Sequence, residues 1–200
     1  MAGLPETSPL IDSLYAIVDA EAADRPLGLA FQALNAGCAI LQLRAKRLDD
    51  VSFLEIAKRV RSACSHAGVP FVVNDRADVA RLVRADGLHL GQDDLSIGDA
   101  RRVVGDMQIG VSTHTLEQAA AAEARGADLI AFGPVFETKT KENPDPVVGL
   151  RTLEAICQAL SRPVVAIGGI TPENAAETRL AGARYFAAIS ALPRFFEDAS

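Results

Sequence analysis

Five consecutive residues, Gln42-Leu43-Arg44-Ala45-Lys46, place three polar side chains at alternate positions. On a β-strand alternate residues point to one face, so Gln42, Arg44 and Lys46 would lie side by side. An amide, a guanidinium and an ammonium on one face of a buried strand are not ordinary core packing. Because guanidinium binds phosphate through two hydrogen bonds and ammonium binds it as a point charge, the run predicts an anion site. If the strand ended at Leu43, both cations would instead be solvated.

Two aspartates follow later apolar runs. Asp75 ends the run PFVVND, and Asp94 lies just after the run DGLHLG, with Asp93 as an alternative neighbour. Proteins commonly hold Mg²⁺ with one or two carboxylates plus substrate phosphates, so this pair predicts a magnesium site. Either aspartate taken alone fits a helix cap or a surface role equally well. Cations beside a divalent ion indicate a diphosphate rather than a single phosphate.

A second phosphate site is predicted further along the chain. Gly168-Gly169 and Ile189-Ser190 end the last two apolar runs, where backbone N–H groups of barrel enzymes often bind phosphate. The connection over 136–146 carries Thr138, Lys139, Thr140 and Lys141, which is typical of an active-site loop but also of a solvated charged turn.

The histidines indicate less. His66 fits a helix surface, His89 fits a core position inside a strand, and His114 lies where it could reach a substrate. Their spacing does not match a zinc site, no Gly-x-Ser-x-Gly segment suggests a serine hydrolase, and no lysine lies within the later strands as a Schiff-base aldolase would need.

Short apolar runs alternate with helical stretches and set the architecture. Most runs lack strict alternation, as expected of strands buried on both faces, and intervening helices imply parallel strands. Eight such units predict a single-domain α/β fold, the (β/α)8 TIM barrel, with its site at the carboxyl ends of the strands. A doubly wound sheet is the alternative, but residues 19–23, after the first strand, lack the glycine fingerprint that this fold predicts. The eight runs are Leu14–Ala20, Cys38–Arg44, Pro70–Asp75, Asp86–Gly91, Gln108–His114, Leu129–Val135, Pro163–Gly169 and Arg184–Ser190.

Helix ends are also predicted from local patterns. Thr115 with Gln118 matches a capping box for the fifth helix, and Thr171 before Pro172 predicts that the seventh helix begins there.

The composition narrows the class of protein. The chain has 200 residues, 49% of them hydrophobic, and a formal net charge of −6. A near-minimal barrel over 14–200, with an amino-terminal extension over 1–13, leaves no room for a second domain. Acidic charge and few aromatic residues argue against nucleic acid as a partner, and no apolar run is long enough for a membrane span. Three widely spaced cysteines and the lack of a leader pattern favour a cytoplasmic location.

Seven segments together resemble the thiamine-phosphate synthase family. The resemblance runs from about Leu14 to Ala191, and the ordered set is specific although Gly-Gly-Ile alone is common. The segments are Gln42–Lys46, Asn74–Asp78, Gly87–Asp94, Gly110–Ser112, Phe132–Lys141, Ala166–Ile170 and Ala188–Ser190.

The resemblance implies a transferase that joins hydroxymethylpyrimidine diphosphate to a thiazole phosphate and releases pyrophosphate, dissociatively and with Mg²⁺ as cofactor. It implies catalytic roles for Arg44, Lys46, Ser112 and Lys141, and metal binding by Asp75 and Asp94. The pyrimidine diphosphate would contact Gln42, Leu43, Arg44, Ala45, Lys46, Asn74, Ser112 and Lys141. The thiazole phosphate would contact Thr138, Thr140, Gly169, Ile189 and Ser190.

Two alternatives stay open beside this interpretation. A thiazole tautomerase relative would share the barrel and could use His114 as an acid or base, and a non-catalytic thiazole-phosphate-binding regulator would be expected to lose the metal carboxylates. Small phosphorylated molecules are the expected partners, and homo-oligomerisation is left open. Tyr185-Phe186 stands where the family more often has smaller residues, which could alter packing beneath the phosphate site.

Overall fold

Eight parallel strands pair in chain order and close into a barrel, in a computed structural model that describes residues 10–21, 25–138 and 145–199. Closure comes from β1 and β8, where Leu14 pairs with Phe186. Every strand lies within a predicted run, so the TIM barrel is confirmed and the doubly wound sheet is excluded. The strands are β1 (Leu14–Asp19), β2 (Ile40–Arg44), β3 (Phe71–Asn74), β4 (Gly87–Leu90), β5 (Gln108–Thr113), β6 (Leu129–Phe132), β7 (Val164–Ala166) and β8 (Tyr185–Ala188).

Helices connect successive strands and cover the barrel. In the second of them, Phe53, Ala57, Val60 and Cys64 form the buried stripe that its periodicity predicts. An eight-residue 3-10 helix, Leu192–Ala199, follows β8, and a shorter one, Ile11–Ser13, precedes β1. The α-helices are α1 (Pro26–Ala36), α2 (Asp50–Ala67), α3 (Ala77–Val83), α4 (Ile97–Val104), α5 (Leu116–Ala124), α6 (Gly149–Ala159) and α7 (Ala175–Leu180). Over the described ranges none of these helices combines the length and apolarity that a bilayer span requires.

One predicted helix end is right and another is wrong. The Thr115 hydroxyl accepts from the Gln118 N–H and caps α5, as expected, although the Gln118 side chain accepts from the His114 N–H and not from that of Thr115. The seventh helix does not begin at Pro172 but at Ala175. The reason is that the Asn174 side chain accepts from the Thr171 N–H at 2.8 Å and so closes a turn ahead of the helix.

The aromatic pair that departs from the family pattern divides between two layers. Phe186 is buried outside the barrel and stacks on Phe195 of the final 3-10 helix, with ring centroids 5.6 Å apart. Tyr185, at the amino end of β8, packs with Ala187 in the inner cluster. Neither ring therefore lies directly beneath Ile189-Ser190, which follow the other end of the strand.

The amino end of the barrel is held by charged ties. Asp86, just before β4, accepts from the Phe71 N–H of β3 at 2.8 Å and pairs with Arg61 of α2 at 2.7 Å. Its own N–H donates to the Phe71 carbonyl. These bonds fasten two strands and a helix together at the end opposite the candidate site. The same arrangement recurs at β5, β6 and α4, with Ile109, Asp128 and Arg101.

Candidate active site

A cavity of about 1260 Å³ opens at the carboxyl ends of the strands. Two residues that the resemblance places at the substrate, Leu43 and Ala45, point away from this cavity into the core. Their side chains are 0% and 9% exposed. Thr140 and Lys141 lie outside the described residues. The remaining predicted site residues all line the cavity, namely Gln42, Arg44, Lys46, Asn74, Asp75, Asp94, Ser112, Thr138, Gly169, Ile189 and Ser190.

The alternating row on β2 is present, because the strand continues to Arg44. Each of its side chains meets a partner from a neighbouring strand. The fully buried Gln42 amide donates to the Tyr15 hydroxyl of β1 at 2.8 Å. Burial raises the pKa of Tyr15 well above its usual range, so its hydroxyl stays protonated.

The two cations of the row are both paired with carboxylates. Arg44 forms an ion pair with Asp19 at the end of β1, and the two side chains are 23% and 10% exposed. Lys46, two residues beyond β2, bonds to Asp75 at the end of β3. The alternative of fully solvated cations is therefore wrong for Arg44, whereas the Lys46 side chain is 46% exposed.

Asp75 and Asp94 form a hydrogen-bonded carboxyl pair. Burial raises the pKa of Asp75, and the bond to Asp94 raises it further against the Lys46 charge. Partial burial acts to raise the pKa of Asp94, but hydrogen bonds from Asp75 and from the Gly91 N–H outweigh it and lower the value. Two adjoining carboxyl groups offer the donor set into which a divalent cation fits. The exposed Asp93 side chain is not part of this pair.

The described part of the cavity lining carries more acidic than cationic side chains. Among the described lining residues, two side chains are cationic, Arg44 and Lys46. Five are acidic, namely Asp75, Asp93, Asp94, Glu137 and Asp145. A diphosphate would meet net repulsion from these groups unless a cation accompanied it. Lys139, like Lys141, lies outside the described residues.

His89 lies inside the barrel against Ser112. Its Nε2 is 2.9 Å from the Ser112 Oγ, and its ring meets the Tyr15 ring edge-on with centroids 6.4 Å apart. Burial lowers the pKa of His89 to about 4, so the ring is neutral near pH 7. The prediction of a core histidine is thus half right, because the residue is buried but also lines the cavity.

His114 ties β5 to the connection that follows β6. Its Nδ1 is 2.6 Å from the Gly133 carbonyl oxygen, and its Nε2 is 3.3 Å from Asp145. The ring lines the cavity, and both of its nitrogens contact acceptors of this chain.

The glycine pair after β7 is required by close packing. Gly168 and Gly169 have φ values of 88° and 67°, and a Cβ on either would overlap the 134–137 segment. The Gly169 carbonyl accepts from the Asn174 side chain at 3.0 Å. In the described ranges no backbone acceptor takes the N–H of Gly169 or of Ser190, so both can serve a ligand.

Three residues of the site, Tyr15, Asp19 and Gln92, were not predicted from the sequence. Tyr15 and Asp19 belong to β1, and the strand period alone puts them on one face with Ile17, so this signal was available. Gln92 donates to the Ser112 carbonyl at 2.6 Å, and nothing in its local pattern indicates this.

Comparison with known proteins identifies the family of the chain. The family model described as thiamine monophosphate synthase matches residues 14–192. The thiamine-phosphate synthase of Methanocella arvoryzae is 46% identical over 183 residues, covering 90% of this chain and 86% of that protein. That of Chloroflexus aurantiacus is 44% identical over 160 residues, covering 80% and 74%. The solved thiamine phosphate pyrophosphorylase from Pyrococcus furiosus has a TM-score of 0.83 and 33% identity, covering 94% of this chain and 97% of that one.

The fold and the polar cavity define a (β/α)8 barrel laid out as an enzyme, with its site at the carboxyl ends of the strands. The chain belongs to the thiamine monophosphate synthase family, whose relatives named above are transferases of thiamine biosynthesis.

Proposed function

We propose that this protein is a thiamine-phosphate synthase, which joins hydroxymethylpyrimidine diphosphate to a thiazole phosphate and releases pyrophosphate. The main support for this proposal is the group of five carboxylates and two paired cations among the described residues that line one cavity. Such a lining suits a diphosphate that arrives with a divalent cation and disfavours one that arrives alone. The identity of 44–46% to synthases over most of the chain supports the same activity.

Asp75 and Asp94 would hold the metal ion. Their hydrogen bond brings the carboxyl oxygens of two strand ends together, and the described residues contain no cluster of three ligating side chains. Water and substrate phosphates would therefore complete the shell, as is usual for Mg²⁺. When bound, Mg²⁺ would neutralise charge on the departing pyrophosphate.

The remaining polar residues would divide between the two substrates. Arg44 and Lys46 would contact the diphosphate, and Gln42 and Ser112 the pyrimidine ring, with Asn74 and Lys141 alongside. Leu43 and Ala45 could contribute only through their backbone, since their side chains are buried in the core. The thiazole phosphate would be held by Thr138, Thr140, Gly169, Ile189 and Ser190, with the N–H groups of Gly169 and Ser190 as donors.

The chemistry would be dissociative. The bond between the pyrimidine methylene carbon and the diphosphate oxygen breaks, and its electron pair leaves with pyrophosphate. Arg44 and Lys46 stabilise the charge that develops on that oxygen. The thiazole nitrogen then donates its lone pair to the methylene cation, and the barrel makes this capture effectively intramolecular. The scheme needs no protein nucleophile.

Two earlier alternatives are less well supported. A tautomerase would need a ring nitrogen of His114 facing its substrate, whereas Nδ1 contacts the Gly133 carbonyl and Nε2 contacts Asp145. A non-catalytic regulator would have no use for the Asp75–Asp94 pair.

The three cysteines, all free thiols, support a reducing, cytoplasmic location. Homo-oligomerisation and the absence of nucleic-acid binding stay predictions.

The test is release of pyrophosphate by purified protein with both substrates, with and without EDTA. We expect release that needs Mg²⁺ and both substrates. No release above the blank, under conditions where both substrates bind, would overturn the proposal. Release that EDTA leaves unchanged would overturn the metal assignment alone.

A further inference from the structure

His89 has an asymmetric environment that fixes the position of its proton. Its Nε2 lies 2.9 Å from the Ser112 Oγ. Its Nδ1 is the one buried side-chain nitrogen or oxygen within the described ranges that lacks any hydrogen-bond partner. Gly110 faces that nitrogen, since a Cβ built there would stand 2.8 Å from it. The space beside Nδ1 is thus closed by backbone.

The unpaired nitrogen decides between the two neutral tautomers. If Nδ1 carried the proton, a buried N–H would have no acceptor, which is rarer in proteins than an unfilled acceptor. If Nε2 carries it, a lone pair faces Gly110 and the N–H donates to Ser112. The second arrangement satisfies the ring's only N–H, so His89 is the donor in this pair.

Ser112 then has a defined role. Its oxygen accepts from His89, and Oγ has no other partner among the described residues. Its own O–H is therefore free to donate into the cavity that both residues line. Gln92 fixes the Ser112 carbonyl at 2.6 Å, which holds this part of β5 in place.

We propose that His89 is a positioning residue, which donates from Nε2 to Ser112 so that the Ser112 hydroxyl donates to an acceptor atom of the pyrimidine substrate. The inference rests on the proposed synthase function for the nature of that substrate. A pyrimidine diphosphate offers ring nitrogens and an ester oxygen as acceptors. An amino substituent on the ring could not take the same hydrogen bond, because it is a donor.

The first test is nitrogen NMR of the protein labelled at its three histidines, which leaves His89 and Ser112 unchanged. Substitutions His66→Gln and His114→Gln assign the remaining resonances to His89 by elimination. We expect a neutral ring near pH 7, protonated at Nε2 and unprotonated at Nδ1. Protonation at Nδ1, or of both nitrogens, would overturn the assignment.

The second test is a double-variant cycle in kcat/KM. We expect Ser112→Ala to lower kcat/KM about 10²-fold, the scale for loss of one positioned donor. His89→Phe should lower it about tenfold, with little further loss when both changes are combined. His89→Gln, which can place an amide N–H near the Nε2 position, should recover part of the loss. Fully additive effects would show a merely structural role and overturn the proposal.

The two tests separate this inference from the function on which it rests. An inactive wild-type protein with the expected tautomer would count against the synthase function. An active wild-type protein with the other tautomer would count against the role of His89.

Discussion

Lys46 donates a hydrogen bond to Asp75 across the ends of β2 and β3, and Asp75 in turn bonds to Asp94 beyond β4. One carboxyl group therefore meets a cation on one side and a second carboxyl group on the other. This chain of contacts joins the candidate diphosphate site to the candidate metal site. A change at either end is expected to be felt at the other.

Loss of either metal carboxylate should abolish most activity. Asp75→Asn and Asp94→Asn are each expected to lower pyrophosphate release about 10²-fold, because charge on the leaving group loses its stabilisation. Asp93→Asn is the matched control, since this exposed neighbour lies outside the carboxyl pair. Release rates across a magnesium titration are the measurement. Equal losses for Asp93→Asn and Asp94→Asn would mean that the metal lies elsewhere.

The ion pair of Asp19 with Arg44 should contribute to stability. Asp19→Asn leaves a half-buried guanidinium without its counter-charge, so we expect the free energy of unfolding to fall by about 2 kcal/mol. Glu55→Gln removes the exposed pair with Lys58 and should cost about 0.5 kcal/mol or less. Urea unfolding of both variants measures the difference. Similar losses for the two would show that burial of the Arg44 pair has no energetic consequence.

Gly169 should not accept a side chain. Gly169→Ala is expected to destabilise the fold by at least about 3 kcal/mol, because a left-handed backbone and overlap with the 136–137 segment add together. Gly68 has nearly the same φ, 69° against 67°, and open space around it. Gly68→Ala should therefore cost only about 1 kcal/mol. Equal losses of stability for Gly169→Ala and Gly68→Ala would show that the overlap at Gly169 does not contribute.

Burial of His89 should make stability fall in acid. Its pKa is lowered from 6.5 to about 4 by burial, so the unfolded chain binds the proton first as the pH falls. Above about pH 6.5 the His89 ring is neutral in both states and costs no stability. Between about pH 6.5 and pH 4 the free energy of unfolding falls by a total of about 3 kcal/mol, because only the unfolded chain is protonated there. Unfolding of the wild type and of His89→Gln at both pH values measures it. A variant with the same acid dependence as the wild type would contradict the prediction.

The cysteines should be poorly reactive in the folded protein. Burial raises the pKa of Cys38 and Cys64 to about 12 and that of Cys157 to about 11. Since the thiolate is the reactive form, labelling by a thiol reagent at about pH 8 should be slow until the chain unfolds. The same reagent in denaturant gives the reference rate for three thiols. Rapid labelling of Cys38 or Cys64 in the native protein would rule out this burial.

Much of the fold was predictable because strands buried on both faces are continuous apolar runs, which the helices interrupt regularly. Within the site, alternation along a single strand was enough to predict that Gln42, Arg44 and Lys46 share one face. Their partners Tyr15, Asp19 and Asp75 depend on which residues stand opposite in the barrel. Local sequence does not specify that register.

The choice between Asp93 and Asp94 shows the same limit. Neighbouring residues of one type have no pattern to distinguish them. In the structure the Gly91 N–H donates to Asp94 at 2.7 Å and turns that side chain inward. The failed prediction at Thr171 has a related cause, because the Asn174 side chain accepts from the Thr171 N–H and closes a turn ahead of the helix.

The repeated aspartate bonds at the amino end of the barrel are consistent with duplication of a two-strand unit. The arrangement of Asp86 with β3 and α2 is repeated by Asp128 with β5 and α4, down to the reciprocal backbone bonds. At β7 and β8 the backbone bond persists, from Arg184 to Val164, but an arginine has taken the place of the aspartate. The same backbone bond joins Ala39 to Leu14 at β1 and β2, again without an aspartate. A two-strand module copied along the chain, whose first and last copies lack the aspartate, would leave this record.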